Sequence, residues 1–561
     1  MNKKRTFILL ISSLILLVAA GFVFILYPFP SNEKITYYEN ETLIVYQNEV
    51  MEDERVQSVN QQHYVPFSFI KENIDSNIVY DKSSESVIIT MPQDVYQLPT
   101  DELKYYMNQK AYDLHFPVTT PNDGEPSIAA KWLEQVYPVY LHQTEKALFV
   151  YENGSTRETA ELVSGLDEHQ TKVREQPKAT SPYYINLGPG DKVYIKGEEE
   201  RYYHIITSEG IAGYLVKEAL GDPVTETLTS ETVIKKRKNV SEVEKPFHLT
   251  WDAIYHPAAT PSVVEAKPGV QILSPTWFEM MDAEGSIENF AKKEYVASAH
   301  EQGDQVWALF SNGFDADLTK QVLPSFEKRQ YMIRQLLDYA RIYDLDGINI
   351  DFENVYLEDG PYLTQFVREL TPLAHQAGLV VSVDVAFPYG SEQWSRFLEH
   401  EKLAEAADYL MVMAYDEHWA NSPEAGSVAS LPWVRRNLEN LVELVPPEKL
   451  LLGIPLYTRL WTETTLENGE VDVSSESFSM EETKEWMSER NIAPVYDEMT
   501  KQNVVTYEEG NNRYIIWIED ETSLVNRVNL MKEFNLAGIA SWSESFAEPS
   551  AWQTIQEAMN P

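Results

Sequence analysis

The chain of 561 residues contains no cysteine. This absence excludes disulfide bonds, thiol nucleophiles and thiolate metal ligands. Positive charge is also scarce, because 88 aspartate and glutamate residues outnumber 45 lysine and arginine residues and leave a formal net charge of −43. Binding to phosphate groups depends on lysine and arginine. We therefore expect no nucleic acid partner and no general attraction to anionic membrane surfaces.

The chain is rich in apolar and aromatic side chains, at 43% and 12% of its residues, which is enough to build hydrophobic cores. Near the N-terminus, basic residues at positions 3–5 precede an uncharged apolar run, Phe7–Tyr27, that is long enough to cross a bilayer as a helix. The basic flank is expected to stay inside. Residues 1–30 are thus predicted to form a single-pass anchor in the cell membrane, with the catalytic domain extracytoplasmic, or to leave a secreted protein if the segment is cleaved.

The length predicts several domains, and the first after the anchor is β-rich. Within residues 31–165, the strand-like pattern between Ile35 and Met91 is repeated more weakly between Glu125 and Tyr151, which predicts two related small units. This pattern resembles the module named after the N-terminal domain of copper amine oxidases. The name implies no copper here, because the segment has no histidine cluster.

A second small β unit is predicted over residues 166–222. The turn Leu187–Val193 leads into a strand, and Tyr203–Ile206 with Gly213–Val216 reads as a closing hairpin. The unit resembles a bacterial SH3-type domain, which implies either binding of cell-wall peptides or a spacer without a ligand. Residues 223–246 are predicted to be a solvated linker.

Residues 247–561 alternate apolar strands with amphipathic helices, as in an α/β fold. Eight strands are predicted, at His248–Trp251, Gln271–Ser274, Gln305–Phe310, Gly347–Asp351, Leu379–Asp384, Tyr409–Ala414, Leu450–Ile454 and Gly538–Ser541. Eight strands alternating with helices predict a (β/α)8 TIM barrel. The connection over about 462–520 is too long for a plain loop and predicts a small α+β insertion.

The stretch Asp346–Glu353 combines a buried strand with several acids. Successive strand residues point to opposite faces, so polar and apolar residues separate here. One face carries Asn349, Asp351 and Glu353, and the other carries Ile348, Ile350 and Phe352. Two carboxyls held close together have pKa values that move apart, so that one can stay protonated and act as a general acid. Asp346 precedes the strand and is expected to be structural.

Further polar residues follow the other predicted strands, where TIM barrels place their active sites. They are Asp384, Tyr415, Asp416, Tyr457, Arg459, Trp542 and Glu544. Carboxylates serve acid and base roles, and aromatic faces stack on sugars. This combination predicts a carbohydrate site.

At this point the residues resemble a known family. Asp346–Glu353 resembles the Asp-x-x-Asp-x-Asp-x-Glu signature of glycoside hydrolase family 18. Four other segments are similar to family elements in the expected order, namely Ser274–Phe278, Met413–Asp416, Gly453–Tyr457 and Gly538–Trp542. The resemblance covers about residues 247–561, and it is strongest to bacterial envelope and spore-associated N-acetylglucosaminidases.

The resemblance implies substrate-assisted hydrolysis with retention. Glu353 would protonate the glycosidic oxygen while the acetamido group of the sugar attacks its own anomeric carbon. Asp351 would orient the acetamido N–H, and Tyr415 would hydrogen-bond the same group. Asp416 would support the sugar, and Trp542 would form the floor beneath it. No metal and no organic cofactor is implied.

Three more residues complete the candidate substrate-binding set: Asn349, Tyr457 and Trp277. Trp277 suits a sugar platform and the barrel core equally well. Asn349 stands where many family members have an aspartate. Because asparagine cannot ionise, Asp351 would lose a repulsive neighbour and should ionise more readily.

Several roles stay open from the sequence. Asp384 could line the site or pair with a neighbour, and Arg459 with Glu544 could form a structural ion pair. His418 and Trp419 are expected to line the cleft.

The sequence thus predicts a glycosidase that hydrolyses β-1,4 bonds after N-acetylglucosamine in cell-wall peptidoglycan. One alternative is a chitinase acting on chitin oligomers, which shares the same sugar at the reacting position. The other is a non-catalytic, lectin-like glycan-binding protein, against which the presence of Glu353 weighs.

Overall fold

The computed structural model describes residues 10–19, 21, 29–38, 42–59, 62–100, 102–120, 124–240 and 243–560. These residues form two compact units. The first comprises Met1–Tyr80, Glu85–Ile89 and Tyr96–Lys235, and the second comprises Asp81–Ser84, Thr90–Val95 and Lys236–Pro561.

The predicted anchor Phe7–Tyr27 lies mostly outside the described residues. Its described part includes a helix, α1, at residues 10–19. Within the ranges given above, none of the helices has the length and apolar character needed to span a membrane.

The first β-rich region contains two sheets and two short helices. Its strands are β1 Thr42–Tyr46, β2 Glu49–Val59, β3 Gln62–Pro66, β4 Val79–Asp81, β5 Ser86–Thr90, β6 Val95–Pro99, β7 Lys104–Met107, β8 Lys110–Asp113, β9 Thr119–Thr120, β10 Ser127–Ala129, β11 Val139–Gln143 and β12 Ala147–Glu152, and its helices are α2 Phe67–Asn73 and α3 Ala130–Val136. One sheet has the order β11-β12-β1-β2-β3-β10-β9 and the other runs β4 to β8 in sequence. The small β modules expected before the barrel are therefore present.

A third sheet of seven strands follows. Its strands are β13 Thr156–Glu161, β14 Lys172–Arg174, β15 Tyr183–Asn186, β16 Lys192–Glu199, β17 Tyr202–Thr207, β18 Ala212–Val216 and β19 Val224–Thr227, in the order β15-β14-β18-β17-β16-β13-β19. Val173, Ile205 and Leu215 are fully buried in its core. β13 precedes the predicted boundary at residue 166, and β19 lies in the segment predicted as linker. The domain boundaries and the SH3-type assignment stay predictions.

Eight parallel strands close into a barrel in the second unit. They are β20 Phe247–Asp252, β21 Ile272–Pro275, β24 Gln305–Ser311, β25 Gly347–Asp351, β26 Val380–Val385, β27 Tyr409–Met413, β28 Leu450–Pro455 and β34 Gly538–Trp542. The ring closes because β20 pairs with β34 and β21 pairs with β24. The predicted TIM barrel is confirmed, and each predicted strand agrees with the observed one to within one residue at either end.

Helices cover the barrel because their apolar residues recur on one face. They are α4 Lys293–Gln302, α5 Ala316–Val322, α6 Phe326–Tyr343, α7 Gly360–Ala377, α8 His400–Ala406, α9 Leu431–Leu441, α11 Glu521–Glu533 and α12 Pro549–Met559. In α7, Leu363, Phe366, Val367 and Leu370 are buried at helical spacing. The helix ends at Gly378, whose φ of 84° suits a left-handed cap. A short hairpin, β22 Phe278–Met280 with β23 Ile287–Asn289, extends the barrel sheet.

The long connection after β28 forms the expected α+β insertion. It contains β29 Tyr457–Thr465, β30 Val471–Ser479, α10 Met480–Glu489, β31 Val495–Asp497, β32 Gln502–Glu509 and β33 Asn512–Ile518. The strand order is β30-β29-β33-β32-β31. Ser479 caps α10, and the Glu482 carboxylate accepts the Ser479 backbone N–H in return. A separate core around Trp486 and Ile516 supports the insertion.

Candidate active site

Asn349 lies beneath the candidate site, at the centre of strand β25. Its side-chain oxygen accepts hydrogen bonds from Trp251 Nε1 at 3.0 Å and Ser274 Oγ at 3.0 Å. Its amide nitrogen donates to Asp384 Oδ1 at 2.9 Å. Asn349 has no exposed surface. The predicted contact between Asn349 and substrate is therefore wrong, because its side chain is enclosed and already holds three neighbouring strands together.

Asp351 and Asp384 lie side by side on strands β25 and β26. The register pairs Asn349 with Ser382 and Ile350 with Val383, so the next step along both strands places the two aspartates at the same level. Side chains at one level of adjacent parallel strands point to the same face, with backbones about 4.8 Å apart. Asp384 therefore belongs to the site, a role that the sequence left open.

Burial dominates the electrostatics of this pair. It raises the pKa of Asp351 to about 7. It raises the pKa of Asp384 well above its ordinary range, and the charge of Asp351 adds to that rise. The expectation that Asn349 would leave Asp351 readily ionised is thus wrong, because desolvation raises the pKa of this carboxyl even though position 349 carries no charge.

Glu353 follows the end of β25 and is held through its backbone. Its N–H donates to Asn312 Oδ1 at 3.1 Å, and Asn312 Nδ2 donates back to its carbonyl at 2.8 Å. Burial raises the pKa of Glu353 well above its ordinary range, and the charges of Asp351 and Asp416 raise it further. A carboxyl that keeps its proton near neutral pH is suited to act as a general acid.

Three further candidate residues, Tyr415, Asp416 and Tyr457, lie after β27 and at the start of β29, and together they are called the active-site wall. Asp416 has a left-handed φ of 59° and accepts a hydrogen bond from Tyr457 Oη at 2.5 Å. Tyr457 is only 5% exposed, and its hydroxyl contacts the Asp416 carboxylate. Burial, followed by the charge of Asp384, raises the pKa of Tyr415 well above its ordinary range, which leaves its hydroxyl as a neutral donor.

The two tryptophans of the candidate set differ in their surroundings. Trp542 ends strand β34, is partly exposed and meets the buried Trp251 edge-on at 6.1 Å between ring centroids. Trp277 is fully buried and packs against Tyr295 at 4.9 Å. Trp542 can therefore offer a ring face to a sugar. The predicted substrate contact of Trp277 is wrong, because the ring belongs to the core.

Arg459 and Glu544, which the sequence left open as a possible ion pair, have different partners. Glu544 pairs with the buried Lys267 at 2.8 Å. Arg459 instead lies 3.9 Å from Asp416 Oδ1. Arg459 therefore supports the active-site wall from the insertion.

The loops beside this wall are less enclosed. His418 Nδ1 lies 2.8 Å from the carbonyl of Ser427, which anchors the loop after β27. The neighbouring Trp419 is 52% exposed.

Sequence reasoning missed two exposed rings in loops after barrel strands. Phe314 follows β24 and Trp394 follows β26, and they are 49% and 48% exposed. Their ring centroids lie 6.3 Å apart. Neither residue stands in a periodic pattern, so only the general rule that barrel loops carry function could have singled them out.

Comparison with known proteins identifies sequence similarity in two parts of the chain. Residues 279–546 match the sequence profile of the glycosyl hydrolases family 18, and residues 44–151 match that of the copper amine oxidase N-terminal domain. Among curated proteins, the chain is 25% identical over 285 residues to the uncharacterized glycosylase YvbX of Bacillus subtilis, covering 49% of this chain and 80% of that protein.

A second relative and a solved structure show the same similarity. The chain is 26% identical over 256 residues to the cortical fragment-lytic enzyme of Bacillus subtilis, covering 45% of this chain and 58% of that protein. The crystal structure of the Bacillus cereus spore cortex-lytic enzyme SleL shares the fold with a TM-score of 0.51 at 19% identity, over 67% of this chain and 90% of that one. Residues 279–546 therefore resemble the glycosyl hydrolases family 18 in sequence, and the barrel that contains them has the fold of a spore cortex-lytic enzyme.

Proposed function

We propose that this protein hydrolyses β-1,4 bonds after N-acetylglucosamine in cell-wall peptidoglycan, with retention and with the substrate's own acetamido group as nucleophile. One observation carries the proposal: Asp351 Oδ1 is buried and, among the described residues, lacks a hydrogen-bond partner, beside Glu353, whose pKa is raised well above its ordinary range by burial. A buried acceptor without a donor is costly unless a ligand supplies one. The N–H of an acetamido group is such a donor.

The first half of the reaction breaks the glycosidic bond. Glu353 gives its proton to the bridging oxygen, and the acetamido carbonyl oxygen attacks the anomeric carbon from the other face. The product is a cyclic oxazolinium ion, so no protein nucleophile is needed. Asp351 accepts the acetamido N–H and stabilises the developing positive charge, while the Tyr415 hydroxyl donates to the same group.

The second half opens the ring with water. Glu353, now a carboxylate, takes a proton from the attacking water and returns to its acid form. The carboxyls of Asp351 and Asp416 favour that return, because each disfavours a charge on Glu353. Two inversions at one carbon give net retention.

Peptidoglycan as the substrate rests on the relatives and on the domain order. A cortical fragment-lytic enzyme is similar to the chain in sequence, and a spore cortex-lytic enzyme shares its fold. We extend the proposal to the N-terminal part of the chain: the apolar run Phe7–Tyr27 would anchor the protein in the cell membrane, and the SH3-like sheet would hold it near the wall. The support is the length of that run and the β-rich units that separate it from the barrel.

The test is digestion of purified peptidoglycan by the full chain, followed by mass spectrometry of the muropeptides. We expect new reducing ends that carry N-acetylglucosamine, and a β-anomer as the first product. Chitin oligomers are digested in parallel. Reducing ends on N-acetylmuramic acid would contradict the bond assignment, cleavage of chitin alone would favour the chitinase alternative, and no cleavage of any polymer would favour a lectin.

A further inference from the structure

Residue 349 is an asparagine, at a position where many members of the similar family have an aspartate. The orientation of that amide is determined by its neighbours, since the Trp251 indole can only donate and therefore faces the Asn349 oxygen. The NH2 group must then face Asp384, where it donates to Oδ1. One oxygen of Asp384 is thereby occupied as an acceptor, and the Trp251 indole also lies within hydrogen-bonding reach of this carboxyl.

Asp384 is 3% exposed and, among the residues described, forms no ion pair. The ionisable groups that act on Asp384 are Asp351, at the end of β25, and Glu353, just after that strand. Tyr415, which follows β27, is in turn affected by the charge of Asp384. The remaining neighbours are the neutral donors Asn349 and Trp251. None of these groups is a cation, so charge on Asp384 is compensated only by hydrogen bonds.

We infer that Asp384 is a positioning residue that shares one proton with Asp351. This inference rests on the proposed function. The shared level of Asp351 and Asp384 on adjacent strands supplies the geometry. When an acetamido N–H arrives, the proton resides on Asp384, and Asp351 accepts the N–H as an anion. The step moves one proton between two carboxyls and exchanges none with solvent.

Sharing has a distinct effect on the pH profile. When two carboxyls share one proton, the pair loses its first proton at lower pH and its second at higher pH than an isolated buried carboxyl would. The state with a single proton therefore spans a wide pH range. The acid limb of kcat/KM should report the first of these steps, because a doubly protonated pair cannot accept the acetamido N–H.

The experiment compares the parent with Asp384→Asn, which keeps the size of the side chain and cannot hold a proton. We expect the acid limb of kcat/KM to move to higher pH by about 1 unit or more, with about a tenfold loss of kcat/KM at about pH 6 for each unit. If Asp384 acts only as a repulsive charge, its removal should move the limb to lower pH. If it is only structural, the limb should stay in place. Either result overturns the inference.

Proton release gives a second readout. Calorimetry of a chitin oligomer binding to Glu353→Gln, in buffers of different ionisation enthalpy at about pH 6, should show almost no proton released. Binding to Glu353→Gln/Asp384→Asn should release close to one proton, because Asp351 must then discharge to solvent. Equal release from the two proteins would refute sharing.

The double variant Asn349→Asp/Asp384→Asn returns a carboxyl to the neighbourhood, and it should bring the acid limb back toward that of the parent. It also keeps the inference testable if Asp384→Asn does not fold. A limb that remains shifted in the folded double variant would count against sharing.

Asp346→Asn is the matched control, since Asp346 contacts His300 and the Val306 N–H outside the site. It should leave the limb unmoved. A parent that cleaves no polymer would refute the proposed function itself. An active parent whose limb does not rise in Asp384→Asn would refute the sharing alone.

Discussion

Glu369 and Asp351 are both carboxylates inside the second unit, yet their partners differ. Glu369 has no exposed surface and receives hydrogen bonds from Arg329 Nη2 at 2.8 Å, Gln330 Nε2 at 3.0 Å and Gln365 Nε2 at 2.9 Å. This cluster lies between helices α6 and α7, in the outer layer of the barrel. Its charge is fully compensated by a cation and amide donors.

The carboxyls at the strand ends have no such compensation. Asp351 has an oxygen with no partner among the described residues, and no ion pair of Asp351, Asp384 or Glu353 is found there. A buried charge with a cation beside it indicates a structural role, because removing one partner would destabilise the fold. Buried carboxyls without a cation indicate a functional role, because their raised pKa values allow them to keep a proton near neutral pH. The following variants test this difference, in order of expected effect.

Glu353→Gln should have the largest effect. The change removes the transferable proton and keeps the shape of the side chain, so kcat should fall by about 1,000- to 10,000-fold. The melting temperature should stay near that of the parent, because no ion pair is lost. Release of reducing ends and a thermal melt measure the two quantities. Glu358→Gln is the matched control on the exposed turn that follows. Loss of activity in both variants, or a collapse in the melting temperature of Glu353→Gln, would contradict the assignment.

Arg329→Met should show the opposite pattern. It leaves Glu369 charged and buried without its cation, which costs about 3–5 kcal/mol in the free energy of unfolding. The kcat of the folded fraction should not change. Denaturant unfolding followed by tryptophan fluorescence measures the loss. Arg329→Met/Glu369→Met removes both members of this pair and should recover part of the loss, because the buried Asp81, whose Oδ2 lies 3.8 Å from Arg329 Nη2, still loses its cation. A cost below about 1 kcal/mol for the single variant would mean that the pair is not structural.

Asp351→Asn should change stability in a pH-dependent way. The pKa of Asp351 in the folded protein, about 7, lies above that of an unfolded aspartate. The folded state therefore holds this proton more tightly, and the stability gained from it is complete at low pH and is lost as pH rises through about 7. Asparagine has no such loss.

Relative to the parent, Asp351→Asn should thus gain about 1–3 kcal/mol between about pH 4 and pH 8. Unfolding midpoints across this range give the difference. Asp338→Asn, on the exposed side of α6, should show no such trend. A constant or shrinking advantage of Asp351→Asn with rising pH would contradict the assigned direction of the pKa shift.

Much of the fold follows from local patterns. The eight barrel strands can be recognised in the sequence as short apolar runs. In the octapeptide Asp346–Glu353, the alternation of strand residues predicts which side chains share the polar face. Glu353, Asp351 and Tyr415 are predictable for the same reason, since a strand end in a parallel barrel must point at the site.

The errors concern contacts between strands distant in sequence. Asn349 is saturated by donors from β20 and β21, and Trp277 is enclosed by α4, neither of which a local pattern contains. Asp384 becomes significant only through its register with Asp351. Arg459 meets Asp416 because the insertion folds back over the barrel end. Sequence periodicity predicts which way a side chain points, but it does not predict how many hydrogen-bond donors from other strands will surround that side chain.

Trp394→Ala should have the smallest effect. If catalysis resides in the desolvated carboxyls, an exposed ring in the segment after β26 can contribute only stacking on neighbouring sugars, worth about 0.5–1.5 kcal/mol. That corresponds to a rise of about 2- to 12-fold in KM on a long polymer, with kcat unchanged. Tyr331→Ala, an exposed ring on α6, is the control and should change neither constant. The change in KM should vanish on the shortest substrate that is still cleaved, because such a substrate does not reach Trp394. A fall in kcat larger than the rise in KM would instead place Trp394 against the reacting sugar. Exposed rings that only bind sugar could then no longer be separated from buried carboxyls that carry out the reaction.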